Sequence, residues 1–414
     1  MGKVLKIAAR NLLRYRRRTI LTTLLITIGV VAMLLFVSTS GSFKTMMVGQ
    51  ITDAMLGHLQ IHKKGYVSSI DSLPLTMNMT PRMVEKIEEM FNKRNDIQAW
   101  SPRLKLGAMF SNFAETTSIR VNGVNPEREA ATCPELAKRI IAGQVEPLVR
   151  RGHILVPELI AKGLKVKPGD TVVLVATNKD GSVNGVKLVV QGVLEGISGP
   201  GGRDGYMHIE DACELLRIEE AEISEIAVRL KDPQALDKSL AKLKATLGAL
   251  MNKQGKPAFE VHGWDKLSPF SNIAKMIDLM TLFIKIMLVS IVLISVMNVM
   301  IMAVYERIRE IGTIAAMGTQ PGTILHLFIA EGLLLGLLGA AIGTGLSILI
   351  ILGVQHADLT FSFGRQTGLV LHPVIHIGDI VVASLMVVVV AVLASLQPAW
   401  KASRMDPIEA LRHV

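Results

Sequence analysis

Four stretches of this chain are each near or above the length of helix that crosses about 30 Å of hydrocarbon, and they carry almost no charge. They run roughly over Ile20–Val37, Ile286–Val304, Ile324–Val354 and Ile380–Leu396. The first spans about 27 Å as a helix. That is longer than the apolar core of a secretory signal, and Ser38-Thr39-Ser40 makes only a weak cleavage site, so the run reads as an uncleaved span. Half the residues are hydrophobic and only 19% are charged, which excludes an ordinary soluble domain and a disordered chain alike.

The net charge of +10 would suit nucleic acid as well as an anionic membrane, and its distribution decides between them. Residues 1–42 hold seven basic side chains and no acidic ones: Lys3, Lys6, Arg10, Arg14, Arg16, Arg17 and Arg18. Residues 43–272 are nearly balanced, at 30 basic against 27 acidic, and the rest carry 8 of each. A basic block abutting an apolar run is a cytosolic flank, with Arg14, Arg16, Arg17 and Arg18 fixing the topology and no nucleic-acid partner implied. Four spans then return the C-terminus to the cytosol. Arg307 and Arg309, and Lys401, Arg404 and Arg412, fall on the same side.

The expected fold class is a membrane α-helical protein of four transmembrane helices, with a large α+β extracytoplasmic domain between helices 1 and 2. Its parts are a basic cytosolic N-terminus (1–19), span one (20–42), the outer domain (43–270), and a stalk with span two (271–304). A cytosolic helix (305–320), span three (321–354), an outer loop (355–378), span four (379–397) and a cytosolic C-terminal helix (398–414) complete it. The stalk follows from Lys275, Asp278 and Lys285, which are costly in lipid yet lie on a pattern that no Pro or Gly breaks between Ser271 and Tyr305. The outer domain is long enough for its own core. Met83–Phe91 reads as helix, and Asp96–Phe113, Thr116–Val124, Thr171–Ala176 and Val186–Leu194 read as strands. Ile223–Leu230, Pro233–Leu250 and Ala258–His262 read as β-α-β. The expectation is an α/β part built from both ends with a β-rich part inserted.

Catalytic and metal motifs are missing. The loop Gly199–Gly205 has neither the Lys-Ser/Thr of a phosphate-binding loop nor the spacing of a dinucleotide fingerprint, so it reads as a flexible loop. His58 and His62 lie in an extended segment, and His372 precedes Pro373, so neither His pair reads as a metal site. Cys133 and Cys213 both lie outside, where a disulfide is permitted but not implied by the spacing.

Between spans two and three, Ile308, Ile311, Ile314 and Ala315 recur at helical spacing, with Glu306, Arg309 and Glu310 on another face and Gly318 and Pro321 closing the helix. This amphipathic helix is either a polar cap on span two or the surface on which a partner pushes. Span three carries Gly332, Gly336, Gly339 and Gly343, two small-xxx-small pairs that favour helix packing. Glu331 beside them reads as structural, snorkelling or paired with a cation. Asp406, Pro407 and Glu409 mark the start of a C-terminal helix.

Glu306-Arg307-Ile308-Arg309-Glu310-Ile311-Gly312 followed by Ala316-Met317-Gly318 resembles the coupling segment of MacB/FtsX-type ABC transporter permeases. Glu331-Gly332, the stretch from Pro398 to Arg412, and Ala9-Arg10-Asn11-Leu12-Leu13-Arg14 fit the same pattern. The resemblance implies a periplasmic domain, an inner-membrane location, a dimer with a second permease copy or paralogue, and membrane lipids as surroundings. It also implies an ABC ATPase dimer as a separate partner, because this chain has no phosphate-binding loop. ATP and Mg would be bound there, with no cofactor and no catalysis here. Glu306, Arg307, Arg309, Glu310, Ile311, Gly312, Met317 and Gly318 would contact the ATPase, and 271–304 would act as a lever. Gly57-His58-Leu59-Gln60-Ile61 resembles a segment of the lipoprotein-releasing (LolC/LolE-like) branch, which implies a lipophilic substrate and an acceptor or adaptor protein in the periplasm. The alternatives are a drug or peptide efflux permease of the same family and a non-transporting scaffold or sensor.

Overall fold

A computed structural model describes residues 2–196, 200–252, 255–357, 360–363, 366–370, 373–374, 376–406, 408 and 410. The chain divides into two compact units, Met1–Thr45 with Ala274–Val414, and Met46–Ile273.

The helices of the first unit are α1 (Gly2–Arg14), α2 (Arg16–Ile51), α3 (Phe270–Glu306), α4 (Ile308–Ala316), α5 (Pro321–His356) and α6 (Ile377–Ser403). Four of them, α2, α3, α5 and α6, are long and apolar enough to cross a membrane. The helix α3 runs unbroken through Lys275, Asp278 and Lys285. The segment 1–19 was expected only as a basic flank. It contains a helix, α1, whose Ala8 and Leu12 are buried while Leu5, Ile7 and Leu13 are exposed. Within the expected outer loop, β11 (Thr360–Phe363) and β12 (Gln366–Val370) pair antiparallel. Of the C-terminal helix, the described part has the Asp406 carboxylate accepting from the Ile408 amide at 2.9 Å; Pro407, Glu409 and Leu411 onward lie outside the described residues, as do His372 and Gly199.

The core of this unit joins Ile26, Val30 and Leu34 of α2, Val292, Val296 and Met300 of α3, Phe328 and Leu335 of α5, and Val387 and Ala391 of α6. Glycine makes that packing possible. A Cβ on Gly332 would lie 2.6 Å from Ser395 Oγ, and one on Gly336 2.8 Å from Ala391 Cβ, both on α6. A Cβ on Gly343 would lie 2.7 Å from Val30 Cβ, and one on Gly339 would collide with Ile26, both on α2. The two glycine pairs therefore serve two different partners within one chain. Gly29, which sequence pattern alone did not single out, would collide with Val292 of α3 in the same way.

The second unit is built on one sheet. Its strands are β1 (Leu59–Lys63), β2 (Ile97–Ser111), β3 (Thr116–Val124), β4 (Ile140–Gly143), β5 (His153–Pro157), β6 (Thr171–Thr177), β7 (Val183–Leu194), β8 (Asp204–His208), β9 (Glu225–Leu230) and β10 (Phe259–Gly263). The order is β10-β1-β9-β2-β3-β8-β5-β7-β4, with β6 pairing both β2 and β7. The long β2 makes this continuity: its first half pairs β9 and its last residues pair β6. Apolar clusters lie around Leu104, Phe110, Val172 and Leu215, and around Ile61, Ile87, Val228 and Leu243. Between these elements Arg103 is buried. Its guanidinium meets Glu129 at 2.6 and 3.0 Å and Glu225 at 3.1 Å, and Lys105 adds a second cation to Glu225 at 2.9 Å. Such an arrangement is tolerable because every carboxylate has a cation. Cys133 is buried beside Arg103 and Cys213 is half-buried; both are free thiols, and no disulfide joins them.

Two outcomes follow from this packing. Gly336→Val should destabilise the membrane unit by about 1–3 kcal/mol, the usual cost of overpacking. Gly345→Val should cost far less, because nothing lies within 4 Å of its Cβ position. Thermal melts in nanodiscs compare them, and equal losses would refute the packing account. In the second unit, burial depresses the pKa of His262 on β10 below its ordinary 6.5, only partly opposed by Glu260 at 3.7 Å. The unfolded chain then takes up the proton first, so stability is fully present above pH 6.5 and is lost as pH falls through that value toward the folded pKa. Denaturant midpoints at pH 7.5 and 5.5, read by tryptophan fluorescence, should differ less in His262→Asn than in the parent.

Candidate functional site

The turn between α3 and α4 is made by Arg307, whose backbone leaves the helical region (φ −114°, ψ 17°). The far end of α4 closes at Gly318, whose φ of +88° lies where glycine is favoured, with its amide donating to Ala315 at 3.0 Å. So α4 is a nine-residue helix bracketed by an arginine and a glycine.

Arg307 does not face outward. Its side chain is buried, and its Nη1 donates to Oε1 of Glu331 at 2.8 Å. Glu331, on α5, is completely buried. The same Oε1 accepts from Asn11 Nδ2 of α1 at 2.7 Å. Arg307 Nε also donates to Glu310 Oε2 at 3.1 Å, and Glu310 Oε1 accepts from the Tyr15 hydroxyl at 3.2 Å. Arg14 stands 3.7 Å from Glu310, and Arg18 stands 3.6 Å from Glu306 and 3.8 Å from Glu331. The Arg307 guanidinium lies over the rings of Tyr15 and Phe328 at 5.5 and 5.6 Å, and Arg18 over Tyr15 at 5.2 Å. Burial opposes the charge on Arg307, but Glu331 and Glu310 outweigh it and hold its pKa above the ordinary arginine value. Burial likewise raises the Glu310 carboxyl, and Arg307, Tyr15 and Arg14 more than reverse it, leaving its pKa lowered.

The residues singled out on this segment therefore divide. Arg307, Ile311 and Gly312 are buried in the unit, and Glu310 is half-buried. Glu306, Arg309, Met317 and Gly318 are exposed, Met317 at 74%. Of the basic flank, Arg14, Arg16 and Arg17 are exposed, while Arg18 is drawn into the node. Sequence reasoning passed over Tyr15, held Asn11 only as part of the Ala9–Arg14 motif, and read Glu331 as structural, snorkelling or paired with a cation; that cation is Arg307. The available signal was the carboxylate itself, because an acid in an apolar helix demands a named partner.

In the second unit, the segment 57–61 is held by its own structure. Gly57 has φ +72°, and a Cβ there would meet the Val228 carbonyl at 3.1 Å. His58 Nδ1 accepts from the Leu230 amide at 2.9 Å, and Gln60 donates to the Leu56 carbonyl at 2.9 Å. Among the described residues no group of three or more His, Cys, Asp and Glu side chains is placed to hold a metal.

Residues 282–407 match the FtsX-like permease C-terminal family, and residues 19–246 match the MacB-like periplasmic core domain. The chain is 22% identical over 405 residues to the lipoprotein-releasing system transmembrane protein LolC of Neisseria meningitidis, a match covering 94% of this chain and 92% of that one. It is 31% identical over 197 residues to the macrolide export ATP-binding/permease protein MacB of Burkholderia thailandensis, covering 46% of this chain and 27% of that protein. Among solved structures, the periplasmic region of MacB from Actinobacillus actinomycetemcomitans aligns with a TM-score of 0.34 at 16% identity, over 50% of this chain and 89% of that one. The chain thus belongs to the MacB/FtsX/LolC family of ABC transporter permeases, multi-pass proteins of the inner membrane, with a MacB-like periplasmic core domain and an FtsX-like permease C-terminal domain.

Proposed function

We propose that the chain converts ATP hydrolysis by a separate ATPase dimer into mechanical work on a lipophilic substrate, such as a lipoprotein, at the periplasmic side of the inner membrane. The observation that carries this reading is the two-sidedness of α4. One face is keyed into the membrane unit through Arg307, Ile311 and Gly312, and the other presents Arg309, Thr313 and Met317 to solvent. A helix fixed on one side and open on the other transmits a push from whatever binds the open side. In this reading both termini are cytosolic and the unit 46–273 is periplasmic. The chain acts beside a second permease copy or paralogue, with Arg14, Arg16 and Arg17 near anionic headgroups. ATP and Mg belong to the ATPase, and no catalytic step falls to this chain. The near full-length match to a lipoprotein-releasing protein favours lipoprotein extraction, handed to a periplasmic acceptor. Drug or peptide efflux is the second reading; the relatives named for macrolide export and for syringafactin export match over shorter stretches.

Ala316→Glu with Met317→Glu should abolish co-purification of the ATPase and stimulation of its activity, while the melting temperature of the permease stays unchanged. Undiminished ATPase binding in that variant would sink the assignment of α4. For the substrate, depletion of the chain should leave an outer-membrane-destined reporter lipoprotein in the inner membrane. Its normal arrival, together with raised macrolide sensitivity, would favour the export reading.

A further inference from the structure

Hydrogen bonding in the node leaves specific atoms unused. Both terminal nitrogens of Arg18 and Oε2 of Glu331 are buried without a hydrogen-bond partner. They face each other at 3.8 Å, about 1 Å beyond hydrogen-bonding distance. The other oxygen of the same carboxylate, Oε1, carries both bonds, from Asn11 and from Arg307. Glu331 is thus loaded on one side, and on the other it faces a cation that has not engaged it. The Arg18 side chain is 14% exposed, close to the carboxylate and largely out of water.

We propose that Glu331 is a two-position acceptor. Arg307 holds it while α4 is seated, and Arg18 takes it over when α4 is drawn away. The proposal rests on the reading of α4 as the ATPase contact, and it makes Arg18 and Glu331 positioning residues for that movement. The charges balance in both positions. A buried carboxylate stripped of the cation that hydrogen-bonds it would resist the withdrawal of α4 with much of its desolvation penalty. With Arg18 at hand, that resistance falls. Arg307, on leaving, keeps Glu310 three residues along its own segment, now at 3.1 Å. Arg18, on moving inward, gives up Glu306, whose side chain is 52% exposed and is readily solvated, and loosens its contact with the Tyr15 ring, now at 5.2 Å. Asn11 remains on Glu331 throughout, so α1 stays attached to α5 while α4 moves. A fixed clamp would need one arginine at this position, and the chain has placed two.

The test is amide hydrogen exchange of residues 2–14 and 308–316 in the full-length chain in nanodiscs, compared across Arg307→Ala, Arg18→Ala, the double variant, and the double variant with Glu331→Gln. Each single substitution should raise exchange by less than about tenfold, because the other arginine covers the carboxylate. The double should raise it by more than about a hundredfold, well beyond the product of the singles. Glu331→Gln in the double background should return exchange to within about tenfold of the parent, since no charge is left to pair. A double variant too unstable to purify that Glu331→Gln rescues supports the hand-over equally. It is overturned if Arg307→Ala alone matches the double, if the double equals the product of the singles, or if Glu331→Gln brings no recovery. Arg14, Arg16 and Arg17 remain to orient the chain in every variant. No ATPase enters the measurement, so its failure would leave the reading of α4 standing, and loss of ATPase docking would leave this result standing.

Discussion

A carboxylate in an apolar helix survives only if hydrogen bonds and positive charge are brought to it, and in this chain they reach Glu331 from three segments, two near the N-terminus and one far along the chain. Asn11 comes from α1, Arg18 from the start of α2, and Arg307 from the turn before α4. Two of the helices concerned, α1 and α4, could otherwise detach at little cost. The helix α1 is basic and short, and α4 has only nine residues, below the length at which a lone helix is stable in water. Their attachment to the membrane unit therefore depends on the carboxylate together with a few apolar contacts such as Leu12 and Ile311. Removing the charge and removing its partners are not equivalent changes, because only the second leaves a buried anion uncompensated.

The same problem is met differently around Arg103. There the buried guanidinium is saturated: two carboxylates surround it, Lys105 shares one of them, and the Cys133 thiol completes the set. Each carboxylate oxygen of Glu129 and Glu225 has a cationic nitrogen within 3.1 Å, and the His62 ring lies 3.6 Å from Glu225. The cluster fastens β2, β9 and the helix Pro126–Thr132 to one another, and its density suits a part of the fold that holds its shape. Glu331, with one oxygen doubly used and the other open, suits a part that changes partners.

How much of this could be read from the chain follows from the range of each interaction. The four long helices were legible because burial in hydrocarbon is written locally, as an uninterrupted apolar run. Strands such as Ile97–Ser111 and Thr116–Val124 were legible because alternation is equally local. The short strands β4, β5 and β8 were not, since four or five residues in a Gly-rich stretch carry too little pattern, and β5 and β8 find parallel partners far along the chain. The helix α1 was hidden behind the charge of the N-terminal segment: four of its seven basic residues lie on α1, and they argue for orientation and say little about conformation. At the site, Glu331 announced itself as an anomaly, whereas Asn11, 320 residues away, was marked only as a member of the Ala9–Arg14 motif and not as a partner of the carboxylate. The presence of a partner was inferable from one residue, and the partner's identity was not.

The glycine contacts bear on how such a membrane unit can work. Gly332 and Gly336 bring α5 against α6, Gly339 and Gly343 bring it against α2, and Gly29 brings α2 against α3. At each contact even a methyl group would overlap a neighbour, so these helices interlock at near-backbone distance. Close-packed interfaces of this kind resist gradual sliding and move as a body or by discrete steps. In the proposed reading, a push on α4 would reach α5 through Arg307 and Glu331 while α4 is seated, and α5 would carry α2 and α6 with it. Separation of any pair of these helices to admit a bulky solute would have to break that pair's close glycine contacts. That asymmetry favours transmission of movement along the helices over passage of substrate between them.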